Sequence, residues 1–146
     1  MLGMMLCGMS YKWIHQTTIT SATAIKHYTG IAIPQDEYDK LIDIDNFIVK
    51  EEQSGKQVFF LNYTAAFYLI PLDKFSYKYD TMFIGNFGTQ GEKEVIQQMY
   101  GKNNIVVIIG GQGMEPNRQE TNFFQEYVRA NMNGIGALHG FDVYSK

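Results

Sequence analysis

Asn104-Ile-Val-Val-Ile-Ile109, followed by Gly110-Gly-Gln-Gly113, is the stretch of sequence that decides the fold. Its isoleucines and valines are all β-branched, and an unbroken run of this kind is typical of a strand whose two faces are both covered. The glycines then end the strand in a turn. The sequence therefore predicts a central strand whose carboxyl end opens into a glycine-rich loop.

A second strand and a long helix are predicted upstream of the central strand. Gln57-Val-Phe-Phe-Leu61 is short, apolar and β-favouring. Before it, Pro34 suits the first turn of a helix, and Asp36 and Glu37 favour the positive end of the helix dipole. Gly55 is expected to end this helix. Its apolar residues recur at helical spacing, and they are Tyr38, Leu41, Ile42, Phe47, Ile48 and Val49.

The remaining predicted elements also alternate between helices and strands. They are a short helix at 65–70 that Pro71 terminates, a strand at 81–84, helices at 92–100 and 116–132, and one or two closing strands within 134–145 around Gly140. Such alternation implies a mostly parallel sheet with helices on both faces. The fold class is therefore predicted as a small three-layer α/β domain over residues 31–146, Rossmann-like but without the dinucleotide fingerprint.

The composition fits one globular domain and disfavours a nucleic-acid partner. Hydrophobic residues make up 45% of the 146 residues and charged residues 18%, which excludes wholesale disorder. The net charge is −3, and the two arginines, Arg118 and Arg129, lie apart in the sequence, so no basic patch is available for a phosphate backbone. Cys7 is the single cysteine, which leaves no internal disulfide and no cysteine-rich metal site.

The sequence contains no constellation that predicts catalysis, metal binding or cofactor binding. After Gly111 and Gly113, Pro116 stands where a dinucleotide fingerprint needs a further glycine, and the Gly-Lys-Ser/Thr of a Walker loop is missing. The histidines are dispersed, and the carboxylates between Asp36 and Glu52 alternate with lysines, as on a solvated helix face. We therefore predict no catalytic residue, no metal ligand and no cofactor for this chain.

The loops at the carboxyl ends of the predicted strands hold the candidate ligand-binding residues. In an open parallel sheet, ligands bind at this edge. A site rich in amides and aromatic rings would suit a sugar there. The candidates are Asn62, Thr64, Tyr79, Asn86, Thr89, Gln112 and Arg118. The alternative is that these loops only form turns, for which the same residue types are favoured.

Residues 1–13 are predicted to contact a membrane. Residues 1–10 are apolar and carry no charged side chain, but about twenty such residues are needed to cross a bilayer. The segment is either the end of a membrane helix whose earlier turns are missing from this chain or a buried or interfacial amphipathic start. Tyr11, Lys12 and Trp13 suit the membrane interface. Residues 14–30, rich in threonine, are predicted to form a linker.

Two motifs resemble a known protein family. Phe60–Leu72 reads FLNYTAAFYLIPL, and Tyr79–Glu92 reads YDTMFIGNFGTQGE. With the order of elements over residues 31–146, they resemble the C-terminal soluble domain of multi-pass bacterial membrane glycosyltransferases, which are similar to dolichyl-phosphate-mannose protein mannosyltransferases. The resemblance implies that residues 1–13 are the end of the last membrane helix. The family's catalytic carboxylate lies between early membrane helices, so no catalytic residue is carried over to this chain.

Three functions remain open from the sequence. The resemblance implies a non-catalytic accessory domain on the extracytoplasmic side of the cell membrane, which steers a lipid-linked sugar or an acceptor. On that hypothesis the chain is a fragment, a split product or a stand-alone relative of a larger protein. The loops alternatively predict a free-standing module that binds a sugar or a phosphate. The third function is that of a structural or partner-binding domain.

Overall fold

The apolar strand lies inside a sheet in the computed structural model of the chain. The residues that the structure describes are 17–18, 25, 33–62, 64–74, 92–111 and 122–146. The strand spans Ile105–Gly110, and all of its residues are buried. It pairs with another strand on each side, which confirms its predicted central position.

The helices and strands follow the sequence pattern closely. In chain order they are β1 (Thr17–Thr18), β2 (Ile33–Pro34), α1 (Gln35–Gln53), β3 (Gln57–Leu61), α2 (Ala65–Leu69), α3 (Glu92–Tyr100), β4 (Ile105–Gly110), α4 (Asn122–Asn131), β5 (Asn133–Leu138) and β6 (Phe141–Ser145). The predicted long helix, the strand at 57–61 and the helix at 92–100 are confirmed. Gly55, with a φ of 82°, takes the left-handed conformation that suits a glycine after a helix.

The sheet formed by β3, β4, β5 and β6 is mixed. Its strand order is β3-β4-β6-β5. β3 and β4 are parallel, with Phe59 beside Val107. β6 runs antiparallel to both of its neighbours, β4 and β5. The α/β class is therefore confirmed, but the expectation of a mostly parallel sheet is wrong for the described part of the chain.

A two-residue turn explains why β5 and β6 are antiparallel. Between β5 and β6, His139 and Gly140 have φ values of 49° and 86°. Positive φ at both central residues is typical of a type I′ turn, whose twist matches that of an antiparallel hairpin. β5 and β6 must then run in opposite directions. The sequence pattern marks Gly140 as a break between strands, while strand direction depends on this turn geometry.

Buried side chains of the described residues form two hydrophobic clusters, because successive residues of β4 point to opposite faces of the sheet. The first, the Val107 cluster, joins β3 and β4 to α3 and α4. The second, the Val106 cluster, joins the sheet to α1 and α2. The buried helix residues are Met99, Phe124 and Val128 in the first cluster and Ile44, Ile48, Ala65 and Leu69 in the second.

Tyr127 packs at the margin of the Val107 cluster, where it is half-buried. Burial, and to a smaller extent the nearby phenol of Tyr100, raises the pKa of the Tyr127 phenol above its ordinary value. The ring therefore stays neutral in its packed position throughout the neutral pH range.

The N-terminal third of the chain is described only in part. β1 pairs antiparallel with β2, with Thr18 beside Ile33. Ile25 is buried, at 1% exposure. Residues 1–13, the strand predicted at 81–84 and the start of the helix predicted from Pro116 lie outside the described residues. Within the described ranges, no helix combines the length and the apolar character needed to cross a bilayer.

Candidate functional site

Asn62 and Thr64 are predicted site residues that the structure brings together. Asn62 follows β3 directly and is buried, at 1% exposure. Its Oδ1 accepts hydrogen bonds from the backbone N–H of Thr64 at 2.8 Å and from the Thr64 hydroxyl at 2.6 Å. Its carbonyl accepts one from the Ala65 N–H at 3.0 Å. This is an Asx-turn that begins α2, so the side-chain oxygen of Asn62 has a structural role.

The other predicted candidates cannot be placed relative to this turn. Tyr79, Asn86, Thr89, Gln112 and Arg118 all lie outside the described residues. Their convergence into one site therefore stays a prediction.

An open cleft of about 310 Å³ lies beside Thr64. Residues of β2, α1 and α2 line it together with Thr64. We call it the Phe67 cleft, and its lining residues are Ile33, Pro34, Glu37, Leu41, Thr64, Phe67 and Tyr68. A mostly apolar lining with a few polar groups is typical of small-molecule sites, and the volume lies at the small end of their range.

The two aromatic rings of the cleft differ in exposure and in their contacts. Phe67 is 72% exposed, which is unusual for a phenylalanine and leaves its ring available to a ligand. Tyr68 is half-buried and stacks on Phe60, with ring centroids 5.8 Å apart and planes at 13°. It also meets the edge of Phe141 at 5.5 Å, and the Lys40 Nζ lies 4.8 Å from its centroid. Tyr68 is therefore packed against the core, and Phe67, its neighbour in α2, projects into solvent.

Glu37 and Thr64 offer hydrogen-bond acceptors to the cleft, and the phenol of Tyr68 can both donate and accept. Glu37 lies in the first turn of α1 with an exposed side chain, and a carboxylate offers only acceptor oxygens. The Thr64 hydroxyl gives its hydrogen to Asn62, so its oxygen faces any further partner as an acceptor. A ligand that suits the cleft therefore combines an apolar face with hydrogen-bond donors.

The carboxyl end of β4, a predicted ligand-binding edge, makes contacts with α4 and with the hairpin of β5 and β6. The Nη2 of Arg129 donates to the Gly110 carbonyl at 3.0 Å and lies 3.6 Å from the Asp142 Oδ2. The Gly111 N–H donates to the Gly140 carbonyl at 3.1 Å. These contacts tie the start of the glycine run to α4 and to the hairpin of β5 and β6. Gly111 therefore lies where the backbone at the end of β4 packs closely against the turn of the hairpin.

Most of the Phe67 cleft was missed by reasoning from the sequence. In the sequence, Glu37 is already explained as an acidic residue at the positive end of a helix dipole. Ile33 is explained as part of an extended segment. Neither residue is therefore predicted to belong to a site. The available signal lies in α2, which has five residues and contains two adjacent aromatic side chains. Since adjacent residues on a helix point in different directions, so short a helix cannot bury both rings on one face.

The fold and the cleft define a class, namely an α/β domain with an open and mostly apolar cleft. Among the residues that the structure describes, no group of three His, Cys, Asp or Glu side chains is placed to hold a metal ion. Comparison with protein-family models, with curated proteins and with solved structures found no match. The function is therefore argued from the chemistry of the cleft.

Proposed function

We propose that this domain is a non-catalytic sugar-binding accessory domain of a membrane glycosyltransferase or a related cell-envelope polysaccharide protein. The observation that supports it is the composition of the Phe67 cleft. An exposed aromatic ring, a carboxylate and a hydroxyl oxygen share one open cleft. The alternative, a free-standing small-ligand module, would use the same cleft and differ only in its location.

The chemistry of the lining favours a neutral sugar. One face of a pyranose ring presents C–H groups, which carry a partial positive charge and pack on the negative face of an aromatic ring such as Phe67. The hydroxyl groups at the edge of the sugar donate hydrogen bonds, and Glu37 and Thr64 accept them. A cleft of about 310 Å³ suits a single sugar unit of a longer glycan.

A phosphate fits this lining less well than a neutral sugar. The carboxylate of Glu37 repels an anion. Glu37 and Thr64 offer acceptors where phosphate oxygens need donors, which leaves the phenol of Tyr68 as the donor among the lining side chains. The Nζ of Lys40 lies over the rings of Tyr68 and Phe141, at 4.8 and 5.4 Å from their centroids, and Lys40 is not among the lining residues of the cleft.

The proposed fold is the three-layer, Rossmann-like arrangement expected from the alternation of strands and helices. The two clusters on the two sides of β4 support it, because each contains side chains from a different pair of helices. The sugar cleft would then lie between the helices of one outer layer, close to the carboxyl end of β3, since Thr64 follows that strand and lines the cleft.

The proposed location is the cell membrane, with the domain on its extracytoplasmic side. There residues 1–13 would contact the membrane, and the partner would be a lipid-linked sugar or an acceptor. We expect the whole chain to sediment with membranes and to need detergent for extraction, because residues 1–10 are apolar and carry no charged side chain.

A matched variant makes this fractionation decisive. Replacing Leu2 and Leu6 by glutamate leaves residues 14–146 unchanged and should move the protein to the soluble fraction. If the unaltered chain is wholly soluble without detergent, the membrane location is wrong, while sugar binding is still open to test.

Sugar binding is tested by thermal unfolding against methyl glycosides of glucose, galactose, mannose and N-acetylglucosamine, with inorganic phosphate as the anionic comparison. A sugar at about a hundred times its Kd adds about 2.7 kcal/mol to the free energy of unfolding. We expect such an increase with at least one glycoside and none with phosphate. Phe67→Ala and Glu37→Gln should each weaken binding about tenfold, since each removes roughly 1.4 kcal/mol of ring or hydrogen-bond contact.

The controls are residues of the same type outside the cleft. Tyr100→Ala removes another exposed ring, 68% exposed, from α3, and Glu126→Gln removes an exposed carboxylate from α4. Both should bind the sugar as the unaltered chain does. The proposal fails if no glycoside stabilises the protein, or if the control variants lose as much affinity as the cleft variants.

A further inference from the structure

The two outer strands of the four-stranded sheet differ sharply in exposure. β3 forms one end of the strand order and β5 the other. In β3, residues 58–61 are 2–3% exposed. In β5, residues 133–137 are all exposed, and Ile135 is 49% exposed. The outer side of β5 is therefore open to solvent, where an edge strand presents amide and carbonyl groups that can pair with another chain.

β5 lacks most of the features that keep edge strands from pairing. Its sequence is Asn-Gly-Ile-Gly-Ala-Leu, without a charged residue and without proline. Charged side chains, above all lysine, and proline are the usual means of blocking an edge. A bulge between Gly134 and Gly136 interrupts the pairing with β6, but the strand still continues for six residues.

The edge is held in place by contacts at its tip and beside its partner strand. At the tip, the Nε2 of His139 lies 2.7 Å from the Asp43 Oδ2, which links the turn to α1. Beside β6, Arg129 lies 3.6 Å from Asp142, whose backbone neighbour in β5 is Ala137. Since these contacts fix the hairpin to two helices, little ordering is needed when a strand pairs with it.

We propose that β5 pairs antiparallel with β5 of a second copy of this chain, which joins two four-stranded sheets across a two-fold axis. An isologous contact of this kind satisfies the free groups of both strands reciprocally. β5 has no charged side chain, so two copies of β5 can pair in any register without placing like charges opposite each other. The exposed Ile135 side chains then lie next to apolar residues of the partner strand. One pair of short strands buries a small area, so the dimer is weak and concentration-dependent.

Sedimentation velocity of the whole chain, in detergent where needed, tests this between about 10 µM and 1 mM, the range in which weak interfaces dissociate. The dimer fraction should rise with concentration. Ile135→Lys places two ammonium groups at the shared edge and should raise the dimer Kd at least about tenfold. Ala137→Lys, in the same strand, should do the same. Ile70→Lys introduces the same charge at another exposed isoleucine, 52% exposed, and should dimerise as the unaltered chain does.

Hydrogen exchange identifies the strand involved. Amides of residues 133–138 should exchange more slowly at high protein concentration in the unaltered chain, and at an unchanged rate in Ile135→Lys. A monomer at about 1 mM overturns the proposal. So does a dimer that Ile135→Lys and Ala137→Lys leave intact, because its contact would then lie on another surface.

Discussion

Gly111→Ala is expected to destabilise the protein by about 3 kcal/mol or more. A Cβ atom at this position would lie 2.1 Å from the Gly140 carbonyl oxygen and 3.0 Å from the carbonyl carbon. Both are backbone atoms, so no side-chain rotation can relieve the overlap. The end of β4 and the turn of the hairpin must move apart, and the hydrogen bond from the Gly111 N–H to the Gly140 carbonyl is lost. Thermal unfolding should show a Tm lower by about 10 °C.

Gly101→Ala is the matched control for this substitution. Gly101 is exposed after α3, and a Cβ there meets no atom within 4 Å. Its free energy of unfolding should change by about 0.5 kcal/mol at most. If Gly111→Ala unfolds at the temperature of Gly101→Ala, then the close approach of β4 to the hairpin is not a feature of the folded protein.

Phe141→Ala is expected to cost about 3–5 kcal/mol of stability, measured by urea unfolding. Phe141 is fully buried in the Val106 cluster, and its ring meets Phe60 edge-on with centroids 4.8 Å apart. It also supports Tyr68, which lines the Phe67 cleft. The substitution leaves a void under Tyr68, so the affinity for a sugar should fall together with the stability.

Phe124→Ala separates the two effects of Phe141→Ala. Phe124 is also fully buried, but in the Val107 cluster on the other face of the sheet. Its truncation should cost a similar 3–5 kcal/mol and leave sugar affinity unchanged under conditions in which both variants are folded. If both variants lose the same affinity for the sugar, the loss in Phe141→Ala follows from lower stability of the whole domain and not from the support of Tyr68. A cost below about 1.5 kcal/mol for Phe141→Ala would contradict its role in the core.

The sequence predicts the secondary structure well because local signals determine it. The β-branched run at Ile105–Gly110, the bounds of β3 between Gly55 and Asn62, and the helix that follows Pro34 each depend on a few neighbouring residues. Strand direction depends instead on the φ values of His139 and Gly140 in the turn. Two-residue hairpin turns are signalled mainly by Asn-Gly, Asp-Gly or Gly-Gly, and His139-Gly140 is none of these, so the sequence does not predict the turn type.

The candidate site was predicted less well, since it depends on long-range packing. Of the described candidates, Thr64 lines the cleft and Asn62 forms the turn beside it. The cleft also needs Glu37 from α1 and Phe67 from α2, which are thirty residues apart in the sequence. Periodicity assigns Glu37 to a solvated face and Phe67 to an apolar helix. Only the packing of α1 beside α2 brings their side chains to one opening.

The most direct test of sugar binding is a heteronuclear NMR titration of the uniformly ¹⁵N-labelled chain with the same methyl glycosides. Binding at the Phe67 cleft predicts saturable chemical-shift changes concentrated at residues 33–41 and 64–68, where the lining side chains lie. Changes that saturate elsewhere, for example around the contacts of Arg129 with Gly110 and Asp142, would contradict this account, and so would the absence of any saturable change.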